Sequence, residues 1–125
     1  DMERVGDHAE NLAEFIQYRL DHGIHFSEEA REELHEMCST VLECYKSSVK
    51  ARETEEMEYI RKVVKLEDDV DTMEEDLRET HIGRLSAGKC RAEVGVVFLD
   101  AISNLERVAD HAVNIAGYVK DEVQV

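Results

Sequence analysis

Apolar residues recur along this chain at steps of three and four, which is the signature of amphipathic helices with one face turned to a core. Val5, Ala9, Leu12, Ile16 and Leu20 form the first stripe, predicting a helix to about His22 with Gly23 as its C-cap. Ser27, followed by Glu28 and Glu29, has the chemistry of a helix start: a capping hydroxyl, then acids facing the positive end of the dipole. The second helix runs from about Ser27 to Ala51 on Leu34, Met37, Val41, Tyr45 and Val49. A polar break at residues 52–55, with Thr54 as the expected cap, separates it from a third helix that carries Ile60, Val63, Leu66, Val70, Met73 and Leu77 to about His81. Gly83, Ser86 and Gly88 mark a loop. The fourth segment is the most apolar, with Val94, Val97, Phe98, Ala101, Leu105, Val108, Ala112, Ile115 and Val119 in phase. Four amphipathic helices joined by short breaks predict an all-α, antiparallel bundle of four long helices.

Part of the first helix returns in the fourth. The stretch from Met2 to Ile16 aligns with Leu105 to Val119 at an offset of 103 residues, and eight of fifteen positions are identical. Helical periodicity accounts for the apolar matches. It does not account for Glu, Arg, Asp, His and Asn recurring in the same order. The repeat predicts a parent built from a duplicated helical unit. On that reading 1–125 is a single helical domain, in which residues 1–22 are the tail of one copy and 27–122 a complete three-helix copy. The chain opens on Asp1-Met2-Glu3-Arg4 already in helical phase, as if cut from a longer protein.

Within the repeat, Glu3 and Asp7 lie four residues apart on one helical face, as do Glu106 and Asp110. Glu67 and Asp71 repeat the spacing in the third helix. Each pair points away from its apolar stripe, and like charges at this step cost about 0.2–0.5 kcal/mol per pair. If the third and fourth helices are neighbours, Glu67, Asp71, Glu106 and Asp110 converge. Oxygen donors without cysteine suit iron, manganese, magnesium or calcium, with zinc also admitted. The bland reading is a solvated acidic face. His8 and His111 follow the aspartates and would flank either a metal site or, the weightier reading, a helix–helix seam; His22, His25, His35 and His81 read as ordinary. Arg4 and Arg107 read as bridges to carboxylates, and Asn11 and Asn114 as hydrogen-bonding across helices.

Charge narrows the function. Thirty Asp and Glu against fifteen Lys and Arg leave a formal charge of −15, which repels nucleic acid and anionic membrane surfaces and attracts cations. No run of 18 apolar residues is present, so this fragment does not itself insert into a bilayer. Cys38, Cys44 and Cys90 show no ligand spacing and read as small buried hydrophobes in a reducing compartment.

The frames Met2-Glu3-Arg4-Val5-Gly6-Asp7-His8-Ala9 and Leu105-Glu106-Arg107-Val108-Ala109-Asp110-His111-Ala112 resemble the signature of the PhoU family, helical proteins tied to bacterial phosphate uptake. The resemblance covers essentially the whole chain and implies tandem three-helix units. It also implies multinuclear iron or zinc clusters held by Glu67, Asp71, Glu106 and Asp110, with Glu3 and Asp7 belonging to the preceding unit. Arg78 to Leu85, then Gly88-Lys89-Cys90 and Val97-Phe98-Leu99-Asp100, are similar to the PhoU-like C-terminal domain of bacterial sodium/phosphate cotransporter-like proteins. That resemblance implies a non-enzymatic, cytoplasmic regulatory domain of a membrane protein. Its partner would be the membrane-transport domain of the same polypeptide or a phosphate-transport system, with homodimerisation left open. Two other readings stand beside it. One is a carboxylate-bridged di-metal enzyme, which would want Glu-x-x-His pairs on inward faces. The other is a plain acidic helical interaction module.

Overall fold

A computed structural model describes residues 26–124. These residues form three α-helices rather than the four expected: α1 (Glu28–Thr54), α2 (Met57–Ser86) and α3 (Ala92–Gln124). The four-helix bundle is therefore corrected to an all-α arrangement of three helices, each packed on the other two. The expected first helix, together with Glu3, Asp7 and His8, lies outside the described residues.

Local chemistry sets where α1 begins and ends. The Ser27 hydroxyl accepts from the Ala30 N–H at 3.1 Å, and Glu28 and Glu29 occupy the first turn. At the other end Glu55 turns left-handed, with φ 58°, and its N–H donates to the Ala51 carbonyl at 2.8 Å. Thr54 does not cap α2 as its sequence position suggested. It is the last residue of α1, donating to the Lys50 carbonyl and accepting from the Glu56 N–H, while Glu56 begins α2 without a side-chain cap. Only two residues separate α1 from α2, which makes the pair an antiparallel hairpin.

Helix α2 runs five residues past the expected end, through Gly83, because its real stop is Gly88 at φ 72°. There the Gly88 and Lys89 N–H groups close back on the Leu85 and Arg84 carbonyls. The chain returns five residues later. A methyl group at Gly95 would sit 2.6 Å from Leu85 Cδ2, so glycine lets the start of α3 press against the end of α2.

The core lies between the three helices. Met37, Val41 and Cys44 of α1 meet Ile60, Val63 and Val70 of α2 and Phe98, Ile102, Leu105, Val108, Ala109 and Ala112 of α3. Leu66 is only half-buried, packed at the edge of this cluster. The upper end is aromatic: His81 stacks on Phe98 with ring centroids 4.2 Å apart, and Phe26 meets Phe98 edge-on at 5.7 Å. Arg84 ties α2 to α1 there, its two NH groups donating to the Glu33 carboxylate at 2.8 and 3.0 Å.

Candidate metal centre on the seam between α2 and α3

The i,i+4 step stacks Glu67 above Asp71 on α2 and Glu106 above Asp110 on α3. Val63 and Val70 anchor the inner face of α2, and Val108, Ala109 and Ala112 that of α3, all buried. Holding these faces inward brings the flanking acids to the seam between the helices. Glu67, Asp71 and Asp110 each place a carboxylate oxygen within 4.8 Å of the others, and all three are half-buried. Glu106 is half-buried beside them and feels both Asp110 and Asp71.

Electrostatics show how tightly the four are held. Burial pushes the Glu67 carboxyl from 4.5 up to about 8, reinforced by hydrogen bonds and then negative charge from Asp71 and Asp110. Burial first, then the Asp110 charge and hydrogen bond, push Glu106 up to about 7, with Asp71 adding to it. Such a cluster relieves its repulsion either by taking up protons or by binding a cation. Its donors are all oxygens, the chemistry of hard and borderline ions such as iron, manganese, magnesium and calcium, and within reach of zinc. The residues present therefore fit a cation of that class. Nearby, Arg78 is drawn to Glu74, its Nε donating at 2.7 Å.

Other sequence expectations fare differently. Arg107 is exposed and takes no part in the ion pairs among the described residues, and Asn114 is exposed instead of reaching across a helix. His111 is half-buried. Of the cysteines only Cys44 is buried; Cys38 is exposed and Cys90 half-buried. His81, read as ordinary, is one of the most buried side chains, at 1% exposure. Burial, then the Arg84 charge, hold its pKa below the usual imidazole value against the opposing pull of Glu33.

Fold and seam together define an acidic helical module that presents oxygen donors along the line where two helices meet. A family model described as the PhoU domain matches residues 34–119, most of the chain, and the chain belongs to the PhoU family. Domains of this family are non-catalytic regulatory modules. Over 115 residues the chain is 32% identical to the phosphate-specific transport system accessory protein PhoU homolog 1 of Thermotoga maritima, covering 92% of this chain and 49% of that protein. The chain thus spans about half the length of the curated relative it matches. No solved structure matches it.

The expectation of a membrane protein of the sodium/phosphate cotransporter kind is corrected. Among the described residues no helix is long and apolar enough to cross a membrane, and both matches are to PhoU. Even α3, the most apolar helix, carries Glu93, Asp100, Glu106, Arg107 and Asp110.

Proposed function

We propose that this chain is a PhoU-type regulatory module of a phosphate-transport system, carrying a cation on the seam between α2 and α3. Glu67, Asp71, Glu106 and Asp110 are its ligands, and Glu3 and Asp7 are the corresponding pair of a preceding unit. On this reading residues 27–122 are one complete three-helix unit, residues 1–22 the end of another, and the module works in the cytoplasm beside its transport partner. The observation that carries the metal assignment is the convergence of three carboxylates within 4.8 Å across two helices. The acids stack in a half-buried seam, where a bound cation would offset their mutual repulsion. Iron or zinc is the occupant that the family resemblance suggests, and the all-oxygen donor set also suits manganese, magnesium or calcium. The ion would join α2 to α3 and make their packing sensitive to its supply, which gives a regulator a state to change.

Elemental analysis of protein purified without chelator tests this directly. Wild type should carry metal, and Asp71→Asn with Asp110→Asn should lose it. Wild type that carries none, and whose thermal midpoint stays fixed on adding iron, zinc, manganese or calcium, leaves the seam a solvated acidic face. A double variant that binds as well as wild type refutes the ligand assignment.

A further inference from the structure

About ten residues further along α2 than Asp71, roughly 15 Å away, the bundle holds a cavity of about 200 Å³ where the start of α1, the end of α2 and the start of α3 meet. Its charged lining residues are Arg84, Lys89 and Arg91. Among the described residues no carboxylate lines it, in a chain where acids outnumber bases thirty to fifteen. Arg84 is already held by Glu33 and Glu29, whereas Lys89 and Arg91 take part in none of the ion pairs among the described residues.

His81 forms part of the wall at 1% exposure. Its Nε2 lies 3.6 Å from the Cys90 Sγ, also on the wall, and its Nδ1 has no hydrogen-bond partner among the described residues. The Cys90 thiol in turn donates to the Arg91 carbonyl at 3.4 Å. His81 is thus a buried ring with one nitrogen unpartnered among the described residues, an arrangement that folded proteins rarely keep without reason. Ser27 and Ala30 bring the N-terminal turn of α1 to the same cavity. The Ser27 hydroxyl takes the Ala30 N–H, and helix geometry leaves the N–H groups of Glu28 and Glu29 without carbonyl partners inside the helix.

We propose that this cavity binds a small oxyanion, contacted by Lys89, Arg91 and the first turn of α1. The cavity is smaller than the roughly 300–1,000 Å³ of sites for drug-sized ligands, which suits an ion with a few waters. Three cations on the wall oppose the alternative, a soft metal held between Cys90 and His81. The site is separate from the acidic seam and does not depend on a cation bound there.

The test uses the full chain with chelator present, so that no seam-bound cation bridges to the anion. Sodium phosphate, sulfate, acetate and chloride are compared at equal ionic strength by calorimetric titration and thermal midpoint. Phosphate and sulfate should raise the midpoint above chloride and shift amide resonances at residues 27–30 and 88–92. Lys89→Gln with Arg91→Gln, both exposed positions, should keep the midpoint in chloride and weaken binding at least tenfold. Equal shifts in chloride, absence of binding heat, or a double variant that binds like wild type overturns the proposal. So does a chelator-free arm in which zinc alone shifts the midpoint and Cys90→Ser abolishes that shift, since the cavity would then be a metal site.

Discussion

Removing a negative charge from the seam should stabilise the metal-free protein, and Asp110→Asn is the informative change because Asp110 acts on both perturbed glutamates. Glu67 rises from 4.5 to about 8 and Glu106 to about 7 on folding, so between those values the folded state holds protons that the unfolded chain releases. The stability linked to these groups is fully present below pH 4.5 and is lost as pH rises through about 7 and 8. Taken whole, the Glu67 elevation corresponds to about 4–5 kcal/mol. The carboxylates are only half-buried, and solvent screening reduces the usable part to about 1–1.5 kcal/mol. Asp110→Asn should recover about 1 kcal/mol of this at pH 8 in chelator, raising the thermal midpoint by about 3–6 °C. At pH 4, where the glutamates are protonated in both states, the gain should vanish. With a cation present the sign reverses. Wild type then gains about 2.7 kcal/mol at a hundredfold excess over Kd, and a variant short of one ligand gains less. Urea denaturation followed by circular dichroism at pH 4, 6 and 8, with and without chelator, measures all of this. A variant no more stable than wild type at pH 8 in chelator, or one equally stabilised at every pH, would refute the coupling.

Two changes test the scaffold that holds the seam. Leu105→Ala removes a side chain at 4% exposure in the middle of α3 and should cost about 2–5 kcal/mol in urea denaturation. Arg84→Ala breaks the paired bonds to Glu33 and leaves a half-buried carboxylate alone, costing about 1–3 kcal/mol, with Arg84→Lys recovering only part because it lacks the planar fork.

The helices of the described region were legible because their long apolar side chains keep strict phase. Ile60, Val63 and Val70 of α2, and Phe98, Leu105, Val108 and Ala112 of α3, are buried as the stripes predict. In α1 the signal was misleading. Its stripe continues through Tyr45 and Val49, yet Cys44, Ser47, Ser48 and Ala51 are the buried positions. Small residues let the helices approach closely, and hydropathy does not mark them. The carboxylate pairs were legible from spacing and repetition. Their convergence needed α2 and α3 to be neighbours, which periodicity alone does not specify. His81 could not be told from the other histidines, since it takes its role from Phe98 and Cys90, 17 and 9 residues away in sequence. The end of α2 was misplaced because Gly83 carries the same letter as the true stop, Gly88, and only backbone conformation distinguishes them.

Cys44 makes the hairpin of α1 and α2 observable in time. Burial, with the Glu67 charge adding to it, pushes its thiol up to about 12, and its Sγ faces the Val63 carbonyl across the helix pair at 3.7 Å. While the helices stay together, an alkylating reagent finds the thiol neither exposed nor ionised. Cys38 on the same helix is exposed, though partial burial also pushes its thiol up, and it can react while the helices stay together. One helix thus carries both a clock and its reference, and their ratio of labelling rates times how often α1 lifts away from α2.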